Sequence, residues 1–326
     1  MKRREFITLL GAATAAWPLA AYAQQPTPVI GLLDSRVRGE TPQFLAATLQ
    51  GLKDAGFVDG QNVAIEYRFA ENQNERLPAL AVDLVHRQVT VIAALGTPAT
   101  LAAQAATSTI PIVFVTAGDP VRLGLVASLN RPGSNITGVT ILAVEVAPKR
   151  LELLHELVPT ARVMALLVNP DSPSLAETTS NGVRSAANTL GLELHVLNAS
   201  AEREFDKVFA ELTQLRADGL VIGSDLFFTA RQELLAALAV RHAIPTVYQN
   251  REFVAAGGLM SYGASITNAF RLVGIYTGRV LKGEKPADLP VQREAKVELY
   301  INLKSAKALG ITVPLPLSGR ADEVIE

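Results

Sequence analysis

The chain has no cysteine. Disulfides, thiolate zinc sites and cysteine nucleophiles are therefore excluded. It also lacks a charge excess: the net charge is -1 over 326 residues. No cluster of Lys and Arg stands out, so nucleic acid is not expected as a partner, because phosphate binding needs clustered basic residues. Histidine is scarce. His86, His155, His195 and His242 fall in predicted helices and a strand, without metal-ligand spacing, and a structural role is expected for each. The G-x-S-x-G elbow, the Walker A sequence and the G-x-G-x-x-G fingerprint are all missing. Most carboxylates lie on charged helix faces such as residues 202–211, where solvation is the default. These absences leave no nucleophile–base set, no metal site and no cofactor site, so a binding protein is expected rather than an enzyme.

Long apolar runs are also absent beyond the first residues. The N-terminus "MKRREFITLLGAATAAWPLAAYAQQ" has a basic start, an apolar middle and an A-x-A site before Gln24. It reads as a secretory signal over residues 1–23, cleaved near Ala23. Its RREFI stretch is similar to the twin-arginine export signal of bacteria. The apolar stretch is shorter than the ~20 residues a bilayer span needs, and no lipid-attachment cysteine follows it. The mature protein is expected to be soluble and periplasmic.

From residue 28 onward, short β-branched runs alternate with amphipathic stretches. "PVIGLL", "NVAIEYRFA", "VTVIAAL" and "IPIVFVT" read as strands, and the segments between them have helical spacing. In "TPQFLAATLQGLKDAG", Thr41 is the expected N-cap, Pro42 the first helical residue and Gly56 the stop. The turn-rich stretch "RPGSNITGVTIL" interrupts the alternation, which then starts again with "RVMALLVNP", "LELHVLNA", "LVIGSD" and "IPTVYQ" as strands. This pattern predicts an α/β protein with two doubly wound lobes built on parallel sheets. The final third is less regular and is expected to complete both sheets, so the chain crosses between lobes more than once. Such crossings make a multi-strand hinge with a ligand cleft between the lobes. The expected division is 28–142 plus 256–289 for the first lobe and 143–255 plus 290–326 for the second.

Open α/β sheets bind ligands beyond the carboxyl ends of their strands. The residues placed there are Asp34 and Ser35, Gly96, Thr97 and Pro98, then Asp119, in the first lobe. In the second lobe they are Asn169, Ser224, Asp225 and Tyr248, and Tyr262 ends the late strand. Gly96 lets a ligand approach the backbone. Thr97 can cap the following helix with Pro98 at its first position, which would aim the free N–H groups and the helix dipole at a carboxylate. Plain capping explains the same residues without a ligand. Asp119 and Asp225 are candidates for a ligand ammonium, although Asp119 precedes a proline and could simply cap a turn. Tyr248 and Tyr262 could stack on an apolar ligand part or belong to the core.

A set of longer motifs adds a resemblance. "GQNVAIEYRFAE", "RLPALAVDLV", "GTPATLAA", "ATSTIPIVFVTAGDPVRLGLVASLNRPGSNITG", "KRLELLHELVP", "REFVAAGGLMSYG" and "INLKSAKALGITVP" together resemble the substrate-binding proteins of bacterial ABC importers, in the group that includes the tryptophan/tyrosine-binding type. The resemblance implies a type I periplasmic-binding-protein fold with three crossovers. It also implies a monomer that captures a small carboxylate ligand between its lobes, either an aromatic or branched amino acid or an aromatic acid. Delivery to a membrane permease with ATPase subunits follows from it. Carried over onto this sequence, the ligand loops are those at Asp34–Ser35, Thr97, Asp119, Asn169, Asp225 and Tyr262. Two other readings remain at this point: a sensor that presents its closed form to a membrane receptor, and an exported α/β hydrolase. A cytoplasmic repressor is disfavoured, because an export signal stands where a helix-turn-helix would be.

Overall fold

The computed structural model describes residues 27–141, 143–294 and 296–326. The signal peptide expected at residues 1–23 lies outside the described residues. Thirteen strands are described: β1 (Val29–Asp34), β2 (Ala64–Phe69), β3 (Val91–Leu95), β4 (Ile112–Thr116), β5 (Ile136–Thr140), β6 (Val163–Val168), β7 (Glu193–Asn198), β8 (Gly219–Ile222), β9 (Thr246–Tyr248), β10 (Met260–Ala264), β11 (Gln292–Arg293), β12 (Val297–Asn302) and β13 (Glu323–Ile325).

They form two sheets, one per lobe. The first runs β11-β5-β4-β3-β1-β2 and the second β13-β12-β10-β9-β8-β6-β7. Every pairing is parallel except β10 with β12. Both lobes share one order: the second strand lies outside the first, and the third to fifth follow on the other side. Strand order therefore reverses between β1 and β3 and again between β6 and β8, and ligands bind at such switch points. The central strands are buried throughout, as in "VIAAL" and "IVFVT", because helices cover both faces of each sheet.

The chain crosses between lobes three times. It leaves the first sheet after β5 and enters the second through the helix Ala147–Leu157. It returns at Ser265, just after β10, because the helix Ile266–Leu281 packs into the first lobe's core. There it meets the helix Pro42–Asp54 closely: a Cβ on Gly51 would lie 1.9 Å from the Arg271 carbonyl oxygen, and one on Gly274 2.0 Å from that of Thr48. β11 still pairs with β5 in the first sheet, whereas β12 belongs to the second. The two later crossings thus fall at Ser265 and between β11 and β12, rather than at the expected 256 and 290. The shift arises because β10 is the fifth strand of the second sheet, a pairing that local hydrophobicity does not encode.

The lobes are closed on one another. Glu40 of the first lobe pairs with Arg231 of the second at 3.0 Å. Asn74 donates its side-chain amide to the Asp171 carbonyl at 2.9 Å. Leu226, at the second switch point, packs against the first lobe's core.

Candidate functional site

The first switch point is built from the ends of β1 and β3. Gly96 has φ 101° and ψ 157° and is the N-cap of the helix Thr97–Ala106. Such a conformation is essentially restricted to glycine. A side chain would also fail sterically, because a Cβ at Gly96 would sit 2.8 Å from Leu226 Cδ1 and 3.6 Å from Ser35 Oγ. The expectation that Thr97 caps this helix is corrected: Thr97 is its first residue, Pro98 its second, and the helix has no side-chain cap. The Thr97 hydroxyl lies instead 2.6 Å from that of Thr116 at the end of β4, and it accepts from the Ala117 N–H at 3.3 Å. Either hydroxyl can donate to the other, so the pair keeps one proton for a further acceptor. The partner is 19 residues away in sequence, beyond the reach of local capping logic.

Asp34 and Ser35 are buried beside this helix start. Asp34 is not a free acid. Its carboxylate takes two bonds from the Arg36 guanidinium, at 2.9 and 2.5 Å, and one from the Arg36 N–H at 3.0 Å. Arg36 also donates to Thr41 and lies over the rings of Phe44 and Phe270, 5.3 and 4.9 Å from their centroids. Asp119 lies apart from this group. Its Oδ1 accepts from the Val121 and Arg122 N–H groups, the turn cap that its Asp-Pro sequence allowed. It borders a cavity of about 470 Å³ that Gly118 and Leu123 share with Pro148, Leu175 and Thr178 across the cleft. Glu145 accepts the Asp119 N–H at 3.1 Å.

The second switch point brings together Asn169, Ser224 and Asp225 around a void of about 10 Å³. Asp225 caps the short helix Leu226–Thr229 by accepting the Phe227 N–H at 2.8 Å. Burial pushes its carboxyl up, against the downward pull of the Ser172 hydroxyl, the Phe227 N–H and the Asn169 side chain. Asn169 itself accepts the Asp171 N–H at 3.0 Å.

Tyr248 is not a cleft wall. It is fully buried, stacks on Phe253 at 4.6 Å and belongs to the second lobe's core. The residues that follow it carry the polar groups. Gln249 donates to Thr229 at 3.1 Å, but its Oε1 has no partner. Asn250, only 3% exposed, has no partner for either amide atom among the described residues. A buried amide left this way is costly unless something binds it. Tyr262 is half-buried against the second lobe's core, and its carbonyl accepts from Arg150 at 2.8 Å.

Arg150 was not among the residues singled out. It shares the inward face of its helix with Ala147, Leu151 and Leu154, all buried. A basic residue at that spacing is the signal that could have found it. Thr116, Asn250 and Leu226 follow the strand ends already named, and their roles depend on contacts between distant segments.

The model of the ABC transporter substrate binding protein family matches residues 44–325. A tyrosine-binding protein of Clostridioides difficile (strain R20291) is 27% identical over 262 residues, covering 80% of this chain and 74% of that protein. Among solved structures, a conserved domain protein of Vibrio cholerae superposes with a TM-score of 0.81 at 25% identity, covering 91% of this chain and 99% of that one. An ABC domain in complex with L-Trp from Streptococcus pneumonia gives 0.80 at 24% identity, covering 92% and 100%. The ligand-free, open structure of a substrate binding protein with adhesive properties from Clostridium difficile gives 0.63 at 24% identity, covering 92% and 99%. Among the described residues, no helix is long and apolar enough to cross a membrane. Two parallel-sheet lobes with the type I periplasmic-binding fold, and a family match over most of its length, make this chain a member of the ABC transporter substrate-binding protein family.

Proposed function

We propose that this protein captures a small amino acid with an aromatic or other apolar side chain between its lobes and delivers it to an ABC importer. The observation that carries the reading is the meeting of two switch points across one closed cleft, where Gly96 of the first lobe abuts Leu226 of the second. The names of the relatives, one tyrosine-binding and one in complex with L-Trp, favour an aromatic amino acid. The ligand carboxylate is assigned to the uncapped start of the helix Thr97–Ala106 and the spare proton of the Thr97–Thr116 hydroxyl pair. Asp225 takes the ammonium, since Asp34 is committed to Arg36 and Asp119 to its turn. Tyr262 and the unpaired amide of Asn250 complete the second-lobe side.

Closure follows from differential affinity: a ligand held by both lobes stabilises the closed form and leaves the open one unchanged. No catalytic step is assigned. Residues 1–23 are read as an export signal, the mature chain as a periplasmic monomer, and its partners as a permease and its ATPase subunits. A thermal-shift screen of amino acids and aromatic acids tests the ligand class, because a ligand specific to the folded state raises the melting temperature. Thr97→Val is expected to weaken binding of the best ligand at least tenfold by calorimetry. An unchanged affinity would sink the carboxylate assignment.

A further inference from the structure

Arg150 is a buried cation for which the described residues supply no paired anion. Its side chain is fully buried, and its guanidinium makes three hydrogen bonds, all to neutral acceptors: the Tyr262 carbonyl at 2.8 Å, the Ser224 hydroxyl at 3.0 Å and the Ala143 carbonyl at 3.0 Å. Among the described residues it forms no ion pair. Burial pushes the guanidinium down to about 9, which leaves it cationic at neutral pH. Neutral acceptors engage each guanidinium nitrogen but leave the charge itself uncompensated, and buried charges are ordinarily paired.

The position of this charge gives it a use. Its three acceptors come from the first crossover, the second switch point and the middle of β10. The first crossover is also tied to the first lobe's ligand edge: the Ile141 N–H donates to the Thr116 carbonyl at 3.1 Å and the Val144 N–H to the Ala117 carbonyl at 3.3 Å. Thr116 is the hydroxyl partner of Thr97. The guanidinium is therefore bonded to the strip of chain that connects Thr116 and Ala117 with Ser224, which itself donates to the Ala143 carbonyl at 3.2 Å. Among the described residues, Asp225, the residue after Ser224, forms no ion pair with it; its Oδ1 accepts the Phe227 N–H at 2.8 Å.

We propose that Arg150 is the specificity-determining charge of the cleft: without touching the ligand, it selects carboxylate-bearing molecules by supplying the buried positive field that their anion completes. The proposal rests on the amino-acid reading of the cleft. In a low-dielectric site, a charge acts over a layer of intervening groups that water would screen. A purely structural pin would hold the two lobes to the hinge and affect all ligands alike.

The test compares L-tyrosine with tyramine, which keeps the ring and the ammonium and lacks only the carboxylate, and L-tryptophan with tryptamine. Calorimetry on the full mature chain gives the acid-to-amine affinity ratio for the parent, for Arg150→Gln and for Ser224→Asp. Arg150→Gln removes the charge. Ser224→Asp keeps the guanidinium and places a carboxylate against it, which protects the test if Arg150→Gln does not fold. Both variants are expected to lower the ratio at least tenfold, and in Arg150→Gln the fall comes mostly from the acid, with the amine changing less than threefold. A ratio within threefold of the parent in either folded variant overturns the assignment of Arg150. Equal binding of acid and amine by the parent overturns it as well. Binding of neither compound by the parent overturns the aromatic amino-acid reading and this proposal with it.

Discussion

The two lobes each bury an arginine beside the cleft, and the two are treated in opposite ways. Arg36, in the first lobe, has a carboxylate within 2.5 Å, a threonine hydroxyl and two phenyl rings against its faces. Arg150, in the second, has only neutral oxygens. Arg36 is complete without any ligand and fixes the loop after β1. Arg150 has one neutral acceptor on each guanidinium nitrogen and, among the described residues, no opposite charge. Burial alone therefore does not mark a functional group. The contrast lies in whether the chain itself supplies the opposite charge.

Breaking each arginine's surroundings separates the two cases. Asp34→Asn leaves Arg36 buried without its counter-charge and is expected to cost about 3–5 kcal/mol of unfolding free energy. Arg150→Gln takes its charge away with it and leaves carbonyls underbonded, for about 1–3 kcal/mol. Urea denaturation of both variants gives the order, and the reverse order would contradict the distinction.

A second pair of outcomes comes from Gly96, where the first lobe touches the second. Gly96→Ala adds a Cβ at a positive φ, at a cost of about 1–3 kcal/mol, and thrusts it into Leu226. Ligand affinity is expected to fall at least tenfold, and small-angle scattering should show a larger radius of gyration in the presence of ligand. A variant that closes normally would show that the Gly96–Leu226 contact is incidental.

The smallest effect concerns Asp225, the acid that follows Ser224, one of the acceptors of Arg150. Burial raises its carboxyl. A raised acid contributes stability that is complete below its unfolded value, near pH 4, and is lost as pH rises through the folded value. At neutral pH the parent carries that loss and Asp225→Asn does not. The melting temperature of Asp225→Asn without ligand is therefore expected to gain on the parent from pH 4 to 7. A difference that stays flat over that range would mean the carboxylate is solvated.

Much of the fold is legible in the chain because each buried parallel strand is a short apolar run and each helix has its own period. The first five strands of each sheet share one order and match that alternation, and their ends form both switch points, whereas the short β11 and β13 lie outside it. What failed was what depends on distant partners. Thr97 looks like a cap locally, but Thr116 holds its hydroxyl. Tyr248 ends a strand, but Phe253 folds back onto it and closes it into the core. β10 looks like a return to the first lobe until its pairing with β9 and β12 is seen. Arg150 gives no local signal beyond a basic residue on an ordinary amphipathic helix, and only the folded arrangement shows that, among the described residues, no carboxylate pairs with it.

The absence of native cysteine allows the central claim, capture between closing lobes, to be measured directly. Glu75→Cys in the first lobe and Lys207→Cys in the second are both exposed and would carry spin labels without competition. Their distance distribution is measured by pulsed electron paramagnetic resonance, with and without an amino acid that binds by calorimetry. A ligand clamped by Thr97 on one side and Asp225 on the other should shorten and narrow the distribution. Saturated binding with an unchanged distribution would contradict capture between the lobes.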